Sequence, residues 1–215
     1  MFLVWAQLHG CATEAAARVD CESELYPIIG DAEAITSIIM SVSAIEAFIN
    51  ELSDVIEQEL PYLDCQSIEL ANKLFSAEEQ RLSLDDKVRI IVEHSGEPFD
   101  LSKKPLQDFR LLVELRNALV HYKTHNHISK RSWKPIKLLT KLRSKKILLN
   151  RPYIHQSSPA YTWFHDVSTV QAARWATDTS LAVITYLSST LNTRVKHILI
   201  GFLTDIFESE LEPKT

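Results

Sequence analysis

Apolar residues between positions 35 and 56 recur with alternating steps of three and four residues. A heptad pattern sustained over this length predicts one long α-helix with an apolar stripe along one side. We expect Asp31 to cap this helix, and the helix to end near Leu60, before Pro61. The stripe fits either a core helix of a bundle or a helix that pairs across a dimer. Its members are Ile35, Ile38, Val42, Ile45, Ile49, Leu52 and Ile56.

The rest of the chain also favours helices, because it has only four glycines and an all-β protein would need many tight turns. We therefore expect an all-α fold, a helical bundle with additional C-terminal helices. It would form a single domain over residues 1–208, followed by a flexible tail at 209–215. Further helices are expected at about 2–19, 67–75, 83–95, 105–123, 136–142, 167–191 and 193–207, with a loop over 150–164.

Charge is distributed unevenly along the chain. Residues 1–60 contain eleven acidic residues and one basic residue, Arg18, whereas residues 123–151 contain ten lysines and arginines and no acidic residue. This separation indicates either an electrostatic match within the protein or a surface for an anionic partner.

No sequence feature predicts a membrane or secretory protein. The three cysteines, Cys11, Cys21 and Cys65, are odd in number and fit no metal motif, which favours reduced thiols. The apolar N-terminus is too short for a signal sequence and lacks a preceding basic residue. The most apolar segment, 35–49, is interrupted by serines and Glu46. We expect a cytoplasmic protein with no membrane contact.

The stretch FRLLVELRNALVHYK, residues 109–123, predicts an apolar helix that carries unexpected polar residues. On a helical wheel, Arg116 falls in the middle of a face formed by Phe109, Leu112, Val113, Leu119 and Val120. A polar stripe of Arg110, Glu114, Asn117 and His121 runs beside it, and Asn117 can reach His121 one turn later. Because an unpaired buried guanidinium is costly, Arg116 needs either an acidic partner such as Glu46 or a cleft that binds an anion.

The hexapeptide RNALVH, residues 116–121, resembles the R-x4-6-H motif of the HEPN superfamily. The segment SAIEAFINEL, residues 43–52, is similar to the long early helix of that superfamily, in which a Glu and an Asn recur. The resemblance covers about residues 31–123, and it implies a helical bundle that commonly dimerises. Many members are metal-independent ribonucleases of toxin–antitoxin, defence or RNA-processing systems, and others are inactive binding modules.

Carried over to this sequence, the resemblance makes Arg116 and His121 a catalytic pair and Asn117 a positioning residue. It implies a homodimer that acts on RNA without a cofactor, with an antitoxin or other regulatory protein as a further partner. A non-catalytic dimerisation or binding module remains the alternative, in which the Arg–His pair is structural.

The basic segment, residues 123–151, would guide RNA through phosphate contacts, with Trp133 and Tyr153 stacking on unpaired bases. The alternative is a solvated helix face that matches the acidic N-terminal helices. His125 and His127 lack a well-placed carboxylate or cysteine, so we expect no metal site. The candidate RNA contacts are Lys123, Lys130, Arg131, Lys134, Lys137 and Lys141.

Overall fold

The computed structural model describes residues 4–19, 27–58, 64–121, 134–148, 163–193 and 195–197. These residues contain no β-strand, so the all-α fold expected from the sequence is confirmed. The helices are α1 (Val4–Arg18), α2 (Pro27–Gln58), α3 (Cys65–Glu79), α4 (Leu84–His94), α5 (Leu106–Val120), α6 (Lys134–Ser144), α7 (Trp163–Val167) and α8 (Val170–Ser189). The predicted tail at 209–215 and nearly all of the last predicted helix, 193–207, lie outside the described residues.

Side chains at the helix starts fix where several helices begin. The Asp64 carboxylate accepts the backbone N–H of Ser67 at 2.8 Å at the start of α3. The Ser83 hydroxyl accepts the N–H of Asp86 at 3.2 Å at the start of α4, the helix expected at about 83–95. Thr169 caps α8 in the same way. Each such cap contributes about 1 kcal/mol by pairing an N–H that the helix leaves unbonded.

The prediction that Asp31 caps the start of the long helix was wrong. Helix α2 begins at Pro27 and continues through Gly30 and Asp31. A proline is tolerated in the first turn because the N–H that it lacks would have no partner inside the helix. A single glycine costs an α-helix only about 1 kcal/mol, which the packing of a long helix can offset.

Helix α2 is the central element of the fold. It packs against α1, α3, α4, α5, α7 and α8. Within its apolar stripe, the six residues from Ile38 to Ile56 are at most 1% exposed. Trp5 of α1 meets Phe48 of α2 edge to face, with ring centroids 5.8 Å apart. The stripe therefore belongs to a core helix, the first of the two interpretations, and each buried aliphatic side chain contributes about 1.5–3 kcal/mol.

Small side chains let α8 lie close to α2. The buried face of α8 is built mainly of Ala, Ser and Thr residues. The Ser37 hydroxyl of α2 donates to the carbonyl of Ala173 of α8 at 3.4 Å, across the middle of the bundle. Side chains this small allow two helix backbones to approach each other closely.

Among the described residues, one segment, Ala32–Glu57 of α2, is long and apolar enough to cross a membrane. Half of its most apolar window is buried inside the protein, as in the core helix of a bundle. The serines and Glu46 were expected to make this segment too polar to span a membrane, but its mean hydropathy remains high enough for a span.

Candidate functional site

Helix α5 carries Arg116 and Asn117, and the third predicted site residue, His121, follows its last residue. The helix packs against α2, α6 and α8. One side of this helix faces the core. Its buried residues are Leu106, Asp108, Phe109, Leu111, Leu112, Leu115 and Leu119. The opposite side is accessible, so the helix has a clear inner and outer face.

The accessible face of α5 differs from the predicted one. Val120 is 52% exposed, whereas Val113 is partly buried and packs against the core. Arg116 lies where the buried part of the predicted apolar face meets the accessible side of the helix. Part of that apolar face is exposed because α2 and α6 flank α5 and leave the strip between them open. We call Arg110, Val113, Asn117, Val120 and His121 the outer face of α5.

Arg116 lies at the α2 edge of the outer face, with its side chain 24% exposed. One terminal nitrogen, Nη2, is 3.7 Å from Oε2 of Glu46, so the predicted acidic partner is confirmed. The contact is long, since a well-formed guanidinium–carboxylate pair has N–O distances of about 2.7–2.9 Å. The Arg116 Nε is buried and has no hydrogen-bond partner among the described residues. The guanidinium is therefore incompletely paired, with an unused donor at the buried Nε and a long contact at Nη2.

His121 follows the last helical residue of α5, and its backbone N–H donates to the Asn117 carbonyl at 3.0 Å. Both side chains are exposed. Within the part of the chain that the structure describes, no hydrogen bond joins the Asn117 amide to the imidazole. Among the described residues, Asn117 and His121 are therefore joined only by this backbone hydrogen bond.

Helix α6 lines the other edge of the outer face and runs antiparallel to α5. Lys141 pairs with Glu114 at 2.9 Å, and Lys145, one turn later, pairs with Asp108. Lys137, one turn before Lys141, is exposed and by this antiparallel register lies toward the C-terminal end of α5. Of the candidate RNA contacts, Lys137 and Lys141 therefore flank the site.

The other candidate contacts are not described in detail. Lys123, Lys130 and Arg131 lie outside the described residues, as do the candidate stacking residues Trp133 and Tyr153. His125 and His127 also lie outside them. Lys134 begins α6, and its side chain is not among those described.

The described part of the basic segment is paired with carboxylates of neighbouring helices. Arg143 pairs with Asp166 of α7 at 3.0 Å, in addition to the pairs of Lys141 and Lys145 with α5. The described partners thus lie on α5 and α7, not on the acidic N-terminal helices as the alternative interpretation expected. Asp108 is only 10% exposed and also pairs with Lys104 at 3.3 Å. Lys145, at a four-residue spacing from Lys141, belongs to the same basic segment, and its pairing with Asp108 was not predicted.

A carboxylate near Arg110, at the other end of the outer face, has a shifted pKa. Burial raises the pKa of Asp85, at the start of α4, and the charge of Arg110 opposes this shift. On the neighbouring turn of α4, Lys87 is buried and its ammonium group contacts Asn50 of α2 and Glu78 of α3. These groups tie α2, α3 and α4 together beside α5.

A cleft of about 410 Å³ lies elsewhere, between the ends of α2, α3, α4 and α8. Asp64, His94 and Asn192 line it, over an apolar floor that includes Ile91. The Asp64 carboxylate in this cleft accepts hydrogen bonds from the Ser67 N–H and the Asn192 amide. The predicted site residues do not line this cleft and lie on the outer face of α5, which is not a pocket. Among the described residues, no three His, Cys, Asp or Glu side chains are arranged to hold a metal ion.

Comparisons with protein-family models, curated proteins and solved structures found no match to this chain.

Proposed function

We propose that the protein is a HEPN-type, metal-independent endoribonuclease that acts as a homodimer. The observation that carries this proposal is the presentation of Arg116 and His121 at one end of the accessible side of α5, with the guanidinium incompletely paired. A cytoplasmic toxin or defence effector, held in check by an antitoxin or other regulatory protein, is the biological setting that the resemblance suggests.

The residue types fit RNA cleavage by the neighbouring 2′-hydroxyl. The 2′-oxygen attacks phosphorus, its proton passes to a base, and the 5′-oxygen leaves with a proton from an acid. An imidazole with an ordinary pKa near ~6.5 can serve in either proton transfer. Arg116 would bind the non-bridging phosphate oxygens, whose charge grows in the transition state.

A second copy of the chain would complete the site. Arg116 and His121 are five residues apart, about 140° around the helix and about 7.5 Å along it, so one helix does not bring them together. The exposed Val120 lies between them and gives the outer face an apolar contact for another α5. A two-fold axis through this face would bring two Arg116 and two His121 side chains to one cleft.

Cleavage of RNA in the presence of EDTA tests this proposal. We expect His121→Ala and Arg116→Ala to lower cleavage by at least about a hundredfold, because each removes a proton-transfer or charge-stabilising group. Lys137→Ala should weaken RNA binding and reduce its salt dependence while turnover of bound RNA is retained. Unchanged cleavage in either the His121 or the Arg116 variant, with the protein folded, would rule out the assignment.

A non-catalytic helical module is the second candidate, and the ion pairs of α5 favour it. Lys141 and Lys145 are already paired with carboxylates of α5, which weakens their attraction for nucleic acid. Under this alternative, Arg116→Ala destabilises the fold and no cleavage appears at any salt concentration. The same two measurements, unfolding and cleavage, therefore separate the two candidates.

A further inference from the structure

Arg116 and Glu46 form an ion pair that is longer than a well-formed one. The closest N–O approach is 3.7 Å, and the Arg116 Nε has no hydrogen-bond partner among the residues that the structure describes. The Glu46 side chain is 47% exposed, so water solvates one side of the carboxylate. A guanidinium held by a single long contact keeps most of its capacity to bind an anion.

Glu46 lies where a bound phosphate would have to share Arg116. Helix α2 fixes the Glu46 backbone rigidly, because the neighbouring residues Ile45 and Phe48 are fully buried. The carboxylate therefore stays within reach of the guanidinium whether or not an anion is present. Two negative groups near one cation repel each other, and each weakens the attraction of the other for it.

We infer that Glu46 is a positioning residue that competes with substrate phosphate for Arg116 and limits anion binding in the isolated chain. The inference rests on the proposed function for its substrate, a phosphodiester of RNA. Glu46 orients the guanidinium along α5 and remains near it, so a bound phosphate has to share the cation with this carboxylate. The competition keeps the affinity for ground-state phosphate low, so that Arg116 acts mainly on the more highly charged transition state.

Glu46 is the residue to substitute in a test, because the other carboxylates nearby face other cations. One turn further along α2 is Asn50, which contacts the ammonium group of Lys87. Arg110, near Asp85, lies two turns before Arg116 on α5. Glu46 is thus the carboxylate paired with Arg116, whereas Asp85 and Glu78 face other cations.

The test uses inorganic phosphate as the probe and the full-length protein. Phosphate binding is followed through the Nε–H resonance of Arg116 by NMR, with Arg116→Lys used to assign the signal. Glu46→Gln removes the charge with almost no change in shape, and we expect it to tighten phosphate binding by about two- to fivefold. Glu46→Asp, which retracts the carboxylate, should give a smaller tightening.

Glu57→Gln is the matched control. It makes the same chemical change on an exposed residue of α2, about three helical turns away on the same side. We expect its phosphate affinity to equal that of the wild type within about 1.5-fold, because charges this far apart are screened by salt. An equal effect of Glu46→Gln and Glu57→Gln, or no saturable shift of Arg116 in Glu46→Gln, overturns the inference.

Failure of the inference is distinguishable from failure of the proposed function. If Glu46→Gln binds phosphate more tightly but no variant cleaves RNA, the competition stands and the ribonuclease assignment fails. If the wild type cleaves RNA and Glu46→Gln leaves phosphate affinity unchanged, the assignment stands and the role of Glu46 fails.

Discussion

At the scale of single residues, two glutamates of α2 differ in the groups that surround their carboxylates. Glu46 has a cation beside it and water on one side. Glu51, less than two turns further along, accepts the backbone N–H of Val4 at 2.8 Å at the start of α1. Burial raises the pKa of Glu51 above its ordinary value of 4.5, although the N–H groups of α1 oppose the shift. The folded protein therefore binds a proton at Glu51 more tightly than the unfolded chain does.

The raised pKa of Glu51 predicts how stability depends on pH. Its contribution is fully present below the unfolded value and is lost as the pH rises through the folded value. Glutamine keeps an oxygen for the Val4 N–H and carries no charge. We expect Glu51→Gln to raise the melting temperature by about 1–3 °C at about pH 7.5, a modest gain because the carboxylate is only half-buried.

The comparison should be made by thermal unfolding at several pH values. The advantage of Glu51→Gln is expected to disappear below about pH 4, where the wild-type carboxyl is also neutral. Glu57→Gln, on an exposed residue of the same helix, should show no such pH-dependent gain. A lower melting temperature for Glu51→Gln at neutral pH would mean that the charge stabilises α1 more than burial opposes it.

At the scale of helices, the C-terminal ends carry strain that the N-terminal ends do not. Helix α3 ends with Arg81 in the left-handed region, at φ 54°. The Leu82 N–H donates to the Ala77 carbonyl and the Arg81 N–H to the Glu78 carbonyl, both at 2.9 Å. This is the Schellman arrangement, in which glycine is the preferred residue because it has no Cβ.

Glycine at position 81 should relieve that strain. We expect Arg81→Gly to increase the free energy of unfolding by about 0.5–1 kcal/mol, since a left-handed conformation costs an L-residue about 1–2 kcal/mol and the greater freedom of the unfolded glycine offsets part of the gain. Urea unfolding measures the change. Arg81→Ala, which keeps the Cβ, is the control and should show no gain. Equal free energies of unfolding for the glycine and alanine variants would contradict backbone strain at position 81.

Helix ends could be predicted from the sequence where local side chains cap them, and not where tertiary packing decides them. Ser83, followed by Asp85 and Asp86, indicates the start of α4, because these side chains stabilise the first backbone N–H groups of the helix. The start of α2 was mispredicted because packing along a helix that touches six others outweighs the local effect of Pro27 and Gly30.

At the scale of the whole molecule, the outer face of α5 is the surface on which the proposed dimer depends. Replacing Val120 by Glu would bring two carboxylates into the centre of that contact. We expect Val120→Glu to weaken dimerisation by at least about tenfold and to lower RNA cleavage with it. Sedimentation velocity over a concentration series measures the first effect, and cleavage at matched concentrations measures the second.

Phe75→Glu is the control. It introduces the same charge at another exposed apolar residue, because Phe75 is 43% exposed on α3. It should leave the dimer unchanged. A wild-type protein that is monomeric at all concentrations, or a Val120→Glu variant that dimerises as well as the wild type, would contradict this use of the outer face.

The site was only partly predictable, for reasons of tertiary packing. The pairing of Arg116 with Glu46 followed from the cost of burying a lone guanidinium. The pairing of Lys141 with Glu114 depends on how α6 docks against α5, and no local pattern encodes that register. The exposure of Val120 likewise follows from where α2 and α6 stop covering α5.

The order of the helices along the chain has a consequence for how the protein is made. Helix α2 needs α8 to cover it, and the hydrogen bond from Ser37 to Ala173 joins the two. The ribosome, however, delivers α2 long before α8. During that interval a segment with the length and apolarity of a membrane span is only partly sheltered, by α1 and the helices that follow it. In this interval the exposed part of the apolar stripe can associate with other apolar surfaces, so aggregation competes with folding until α8 has been synthesised.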